Sequence, residues 1–85
     1  MLPELRHQIN RAAERYAQAE HIGDEQTPRG YERYGKLKGL LWTWRYLHDS
    51  QEAIEGMAQR EIEAARVRLG YIDEEGYAVE KEEIQ

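Results

Sequence analysis

Two runs of apolar residues at spacings of three and four organise most of the chain. The first lies between Leu2 and about His21 and forms one narrow stripe, which predicts an amphipathic helix. Pro3 and Glu4 suit its first turn, where the amides lack partners and the positive helix end favours a carboxylate. Gly23 is the residue expected to end this helix. The apolar positions are Leu2, Leu5, Ile9, Ala12, Ala13, Tyr16 and Ala17.

The second run follows a polar loop and is longer. Thr27 and Pro28 predict its start, with threonine as the N-cap and proline in the first helical position. Gly70 is the residue expected to end it. The apolar positions are Tyr34, Leu37, Leu40, Leu41, Trp44, Leu47, Ile54, Ala58, Ile62, Ala65 and Leu69.

The middle of the second run allows two interpretations. Leu47 and Ile54 are about two helical turns apart, so the apolar stripe keeps its phase and favours one continuous helix over about 28–69. Alternatively, Asp49 caps a new helix with Glu52 as its capping-box partner, and the chain forms a three-helix bundle. Both arrangements are all-α, and the favoured one is an antiparallel helical hairpin with a long second helix.

A continuous second helix predicts a homodimer. Such a helix is about 60 Å long, and the first helix covers only about half of it. The uncovered half would need a second chain, most simply in a two-fold symmetric pair of hairpins. The residues predicted for this dimer interface are Ile54, Met57, Ala58, Ile62 and Leu69.

The last part of the chain differs in character from the rest. Residues 1–70 form the predicted helical domain, and residues 71–85 form an acidic tail. Apolar residues flank an acidic turn that ends at Gly76, so the tail is expected to be a short β-hairpin or irregular. The candidate partner-binding residues of the tail are Asp73, Glu74 and Glu75.

Composition limits the class of protein. Helix formers such as Ala, Glu, Arg, Gln and Leu dominate the 85 residues. The chain contains no cysteine, which excludes disulfides and thiolate metal ligands. No apolar run approaches the roughly 18 residues of a membrane span, and the N-terminus lacks the features of a signal peptide. These features predict a cytoplasmic protein outside the membrane.

Charge is distributed unevenly around the net value of −5. Residues 29–48 carry five basic side chains and one acidic one, hence +4, whereas residues 49–85 carry four and eleven, hence −7. This separation predicts electrostatic complementarity, either within a dimer or toward a partner. It argues against general nucleic-acid binding, because the acidic remainder repels phosphates.

No set of side chains specifies a reaction. Ser50 is adjacent to His48 and Asp49, but residues one or two apart on a helix do not face each other. Glu4 and His7 form one Glu-x-x-His motif, whereas di-iron bundles use two such motifs and two further glutamates. The chain is therefore predicted not to be an enzyme and to bind neither a metal nor a cofactor.

Four glycines lie inside the predicted second helix. They are Gly30, Gly35, Gly39 and Gly56. Each costs about 1 kcal/mol relative to alanine in a helix. Their presence predicts close approach of another backbone, a kink, or both.

The segment 29–48 interleaves aromatic and basic residues and is the main candidate site. Three interpretations apply: its aromatics widen the contact with the first helix, or they bind a protein, or the segment binds nucleic acid. Trp, Tyr and Arg dominate the energetics of protein interfaces. The candidate partner-binding residues are Arg29, Tyr31, Arg33, Tyr34, Lys36, Lys38, Trp42, Arg45 and Tyr46.

The leading hypothesis is a small acidic protein-protein interaction protein that acts as an adaptor, a subunit or an inhibitor. Its size, uneven charge and lack of catalytic residues are typical of phage or mobile-element proteins that bind and block a host protein machine. The alternative is a nucleic-acid-binding or transcription-regulating protein that uses segment 29–48.

Overall fold

The structure is a computed structural model and describes residues 2–79. The predicted all-α class is confirmed: three helices are α1 (Leu2–His21), α2 (Pro28–Leu47) and α3 (Ile54–Arg68), and residues 2–79 contain no extended strand. Each helix packs against both others. The largest fully buried side chains come from all three helices and are Ile9, Leu37, Leu41 and Ile62.

Small residues on α1 allow the other two helices to pack closely against it. Four of its alanines are at most 5% exposed, so both neighbours approach the α1 backbone. Contacts to α2 pair the start of α1 with the end of α2: the Arg6 guanidinium lies 5.1 Å from the Trp44 ring. At the other end the rings of Tyr16 and Tyr34 are 5.2 Å apart. The buried alanines are Ala12, Ala13, Ala17 and Ala19.

The prediction of a continuous second helix was wrong, because the chain reverses at Asp49. Its φ of +51° lies in the left-handed region, which a right-handed helix cannot continue. The amide of Asp49 donates to the Tyr46 carbonyl, and that of Ser50 donates to Arg45. These two bonds form a Schellman motif, with Asp49 where glycine usually stands. Gly23 and Gly70 end α1 and α3 in the same left-handed conformation, as predicted.

The connection between α2 and α3 does not contain the predicted capping box. The N-cap of α3 is Ala53, which makes no side-chain capping bond. Glu52 instead forms an ion pair with Arg60, and its carbonyl accepts a hydrogen bond from the Arg45 guanidinium at 3.0 Å. Leu47, predicted for the core, is 46% exposed because α2 ends there.

Because the chain reverses at Asp49, the residues predicted for a dimer interface are buried within one chain. Helix α3 folds back onto α1 and α2, so the apolar residues predicted to be uncovered lie inside a single chain. Leu69 packs partly buried against the same core. A homodimer therefore stays a prediction. The reason given for it, an uncovered half of a long second helix, no longer applies. The fully buried members are Ile54, Met57, Ala58 and Ile62, at 0–6% exposure.

Ion pairs join α1 to α3. The Arg66 guanidinium contacts both carboxylate oxygens of Glu20, at 2.9 and 2.7 Å, and Arg68 Nε lies 2.8 Å from Glu14. Arg6 pairs with Glu61. Partly exposed pairs each contribute about 0–1 kcal/mol, so these pairs align two helices that the apolar core holds together.

The tail after α3 contains one antiparallel bridge, between Ile72 and Ala78. The predicted β-hairpin is thus reduced to a single residue pair around a turn at Gly76. The rest of the predicted acidic tail, residues 80–85, lies outside the described residues.

Close packing at glycine is confirmed at one of the four predicted positions. A Cβ atom on Gly30 would lie 2.4 Å from the carbonyl oxygens of Asp24 and Glu25, which belong to the loop before α2. At Gly35, Gly39 and Gly56 a Cβ atom would have no atom from another part of residues 2–79 within 4 Å. For these three glycines the approach of another backbone stays a prediction.

Two matched substitutions test this difference. Gly30→Ala is expected to lower the free energy of unfolding by about 2 kcal/mol or more, because the new methyl group overlaps backbone atoms. Gly35→Ala is expected to raise it by about 1 kcal/mol, since alanine is the better helix former and the space is open. Chemical denaturation followed by circular dichroism measures both changes. Equal effects of the two substitutions would contradict the packing described here.

The Glu52–Arg60 pair makes the connection before α3 sensitive to acid. The hydrogen bond from Arg60 holds the pKa of Glu52 below its ordinary value. The pair therefore stabilises the folded chain above the ordinary glutamate pKa, and this stabilisation is lost as pH falls through the lowered pKa. Arg60→Gln is expected to return the pKa of Glu52 to its ordinary value in an NMR titration. Arg68→Gln, which removes a different pair, should leave the Glu52 titration unchanged.

Candidate protein-binding surface

Helix α2 is apolar on two opposite sides. Its inner side buries Leu37 and Leu41. Its outer side carries five residues spaced four, four, three and four apart, which places them in one line along the helix. We call this line the outer strip. Its residues are Tyr31, Gly35, Gly39, Trp42 and Tyr46.

The aromatic residues of the outer strip are exposed. Tyr31 is 63% exposed, Trp42 55% and Tyr46 84%. A helix on the surface of a globular domain ordinarily carries charged and polar residues on its outer side. A line of exposed aromatic rings on that side departs from this pattern and makes the outer strip the candidate contact surface.

The two glycines form a notch in the middle of the outer strip. Gly35 and Gly39 have no side chain, and nothing else in residues 2–79 fills the space above them. Tyr31 lies on one side of the notch and Trp42 on the other. The helix thus presents two raised aromatic ends and a low centre at which a partner can approach the α2 backbone.

Cations border the outer strip on the side of α3. Lys38 Nζ lies 3.3 Å from Glu55 of α3 and 5.0 Å from the Tyr34 ring. The Arg45 guanidinium lies 4.6 Å from the Trp42 ring. This cation–π contact holds the indole against the helix, so Trp42 is exposed but restrained.

Further cations border the strip on the side of α1. Arg33 donates to the Arg15 carbonyl at 2.9 Å. Arg15 and Lys36 both line two adjoining cavities between α1 and α2, each of about 430 Å³. No cation of this basic groove forms an ion pair with another residue of the range 2–79. The cations are Arg11, Arg15, Arg29, Arg33 and Lys36.

Sequence reasoning missed Arg11 and Arg15. They lie one turn apart on the polar side of α1, and that spacing was visible in the sequence. Only the fold shows that this side of α1 faces Lys36 across a groove. Two carboxylates, those of Glu4 and Glu32, also line the groove and reduce its positive charge.

The nine residues predicted from segment 29–48 separate into four groups. Tyr34 is half-buried and packs against Tyr16, so it belongs to the core. Lys38 and Arg45 lie on the α3 side. The outer strip holds three of them: Tyr31, Trp42 and Tyr46. The basic groove holds the other three: Arg29, Arg33 and Lys36.

The acidic candidates of the tail lie at the opposite end of α1 from Trp44. Tyr71, just before them, stacks on His21 with ring centroids 3.8 Å apart. Asp73 accepts hydrogen bonds from the amides of Glu75 and Tyr77 at 3.0 and 2.9 Å. The carboxylate of Asp73 therefore shapes the turn, while Glu74 and Glu75 are exposed.

The hydroxyl and imidazole groups near the end of α2 hold local structure. Ser50 Oγ accepts a hydrogen bond from the Glu52 amide at 3.1 Å. The His48 ring stacks on Trp44 at 4.0 Å, and its Nδ1 lies 3.0 Å from the Trp44 carbonyl oxygen. Over residues 2–79, no group of three His, Asp or Glu side chains is placed to hold a metal ion.

Tyr16 packs partly buried against the core, next to Tyr34. Burial raises its pKa, and the carboxylates of Glu20 and Glu25 add to the rise. The hydroxyl stays protonated over the physiological range, which suits a core position rather than a reactive one.

Comparisons with protein-family models, with characterised proteins and with solved structures found no match to this chain. No helix within residues 2–79 has the length and apolar character needed to cross a membrane. The surface chemistry of α2 is therefore the basis for a functional proposal.

Substitution of the two tryptophans tests whether Trp42 lies on the exposed outer strip while Trp44 packs against the core. Trp42→Ala is expected to change the free energy of unfolding by less than about 1 kcal/mol, because the side chain is more than half exposed and lies outside the core. Trp44→Ala is expected to lower it by about 2 kcal/mol, since Trp44 packs partly buried against the core. Urea denaturation of both variants measures the difference. A larger loss for Trp42→Ala would place that side chain in the core.

Proposed function

We propose that this protein is a protein-protein interaction domain and that the outer strip of α2 binds its partner. The observation that carries the proposal is the exposed line of Tyr31, Trp42 and Tyr46 around a glycine notch, on a helix whose other side is core. Under this proposal the domain has no catalytic role. It acts in the cytoplasm as an adaptor, a subunit or an inhibitor, and blocking a host protein machine, as phage proteins do, is one such role.

The supporting scaffold is an antiparallel hairpin of α1 and α2 closed by α3. This arrangement is part of the proposal, and the contacts of Arg6 with Trp44 and of Tyr16 with Tyr34 support it. Such a scaffold holds α2 in place before binding. A preorganised surface loses little conformational entropy when it binds, which favours affinity.

The residue types of the outer strip suit a protein partner. Trp and Tyr bury large areas with few rotatable bonds, and Arg beside them adds charge-assisted contacts. Trp42, Arg45 and Tyr46 lie together at one end of the strip around a cavity of about 250 Å³. This cluster is the expected energetic centre of the interface.

A second candidate function is nucleic-acid binding through the basic groove. The observation that favours it is the set of five cations without ion pairs. Glu4 and Glu32 border the same groove, and the whole chain carries a net charge of −5. The balance of charge therefore ranks this function below protein binding.

A capture experiment tests the proposed function. The wild-type chain, the Trp42→Ala/Tyr46→Ala double variant and a Tyr77→Ala control are immobilised and exposed to nuclease-treated lysate of the source cells. Tyr77 is a suitable control because it is 70% exposed and lies in the tail. Wild type and control are expected to retain the same protein at one-to-one stoichiometry, and the double variant at least about tenfold less.

Equal retention by the double variant would exclude the outer strip as the binding surface. If the wild-type chain retained material from untreated lysate but none from nuclease-treated lysate, the result would instead favour the nucleic-acid function. Circular dichroism of the three chains confirms that each is folded before the comparison is made.

A further inference from the structure

We propose that the partner segment bound by the outer strip is an acidic amphipathic helix of a different protein. Its apolar ridge would lie along the strip, and carboxylates on both of its flanks would contact the cations at the two edges of α2. This inference rests on the proposed function and specifies the chemistry of the partner.

The shape of the outer strip suits a helix. The strip is straight and runs from Tyr31 to Tyr46, which is about 22 Å at 1.5 Å per residue. Helices pack with their axes about 8–10 Å apart, and the nearer distances require small residues at the contact. Gly35 and Gly39 are such small residues at the centre of the strip, and no atom from another part of residues 2–79 lies within 4 Å of the positions that their Cβ atoms would take.

The charged residues along the two edges of the outer strip determine which charge the flanks of the partner helix should carry. The α3 edge carries Lys38 and Arg45. The α1 edge carries Lys36 together with Glu32, the only acidic residue on α2, and Arg29 and Arg33 lie beyond them. Cations therefore outnumber carboxylates along the two edges, which favours a helix with acidic flanks over one with basic flanks.

The cations at these edges are available for a new partner. Lys36 makes no ion pair within residues 2–79, and the pair between Lys38 and Glu55 is exposed, with Glu55 70% accessible. Exposed pairs are weak and exchange partners at little cost. One guanidinium N–H of Arg45 donates a hydrogen bond to the Glu52 carbonyl oxygen, and the guanidinium keeps further N–H donors.

The same edges disfavour a second copy of this chain as the occupant. In a two-fold pair of α2 helices, the antiparallel arrangement brings the edge of Lys38 and Arg45 against itself. The parallel arrangement brings that edge against the edge of Lys36. Both place cation against cation, so the strip fits an acidic partner better than its own copy.

Two designed helical peptides of 20 residues test the proposal. Both carry the same leucine and alanine ridge, and one has glutamate flanks where the other has lysine flanks. Binding is followed on the full ¹⁵N-labelled chain through the indole N–H signals of Trp42 and Trp44. We expect the Trp42 signal to shift first, and the glutamate peptide to bind at least about tenfold tighter than the lysine peptide at low salt. The difference in affinity between the two peptides should decrease as the salt concentration rises.

Two variants and a control define the contacts. Lys36→Glu/Lys38→Glu/Arg45→Glu is expected to reverse the preference between the peptides. Gly35→Leu/Gly39→Leu is expected to weaken both peptides at least tenfold by filling the notch. The control Gln18→Glu/Gln59→Glu adds acidic residues at exposed positions outside α2 and should leave the preference unchanged.

Other outcomes overturn the proposal. Equal binding of the two peptides, tighter binding of the lysine peptide, or no binding of either would each do so. Tighter binding of a single-stranded oligonucleotide than of the glutamate peptide would replace the protein partner by nucleic acid. A dimer in light scattering that Trp42→Ala dissociates would make a second copy the occupant.

The capture experiment separates this failure from failure of the proposed function. If neither peptide shifts Trp42 but capture still depends on Trp42 and Tyr46, only the acidic helix is excluded. If capture is also independent of these two residues, the outer strip has no binding role and both proposals fail.

Discussion

The left-handed backbone of Asp49 is the constraint on which the arrangement of this chain depends. Without the reversal at this residue, residues 28–69 would form one rod about 60 Å long. The Schellman bonds at Asp49 end α2 and let α3 return to α1. The apolar side of α3 is then covered inside the chain. The aromatic outer side of α2 stays exposed.

This reversal also determines where charge is neutralised. Because α3 folds back onto α1, its arginines lie beside the acidic residues of α1, as in the bidentate contact of Arg66 with Glu20. No carboxylate from α3 reaches Arg11 or Arg15 on the other side of α1. Positive charge thus accumulates between α1 and α2, although the whole chain is acidic. Net charge alone would have predicted the opposite sign for this surface.

The sequence predicted the features that depend on local interactions. Thr27 caps α2 with its hydroxyl accepting from the Gly30 amide, and Gly23 ends α1, because such signals act within one turn. The sequence favoured a continuous helix across Asp49 because the apolar phase is preserved from Leu47 to Ile54, and aspartate is a weaker signal than glycine for the left-handed position that ends a helix. The basic groove was not predicted, since Arg11 and Lys36 are 25 positions apart and only packing brings them together. The outer strip was identified in part, through Tyr31, Trp42 and Tyr46.

The glycines of α2 connect stability with the proposed binding role. Gly30 is required by packing, because the loop before α2 occupies the space of its side chain. At Gly35 and Gly39 no other part of the described range 2–79 occupies that space, and each weakens the helix by about 1 kcal/mol relative to alanine. A small domain has only a few kcal/mol of stability to lose. Two such residues in line with exposed Trp42 and Tyr46 are the feature on which the proposed contact with a partner backbone rests, because the notch that they leave allows a backbone to approach.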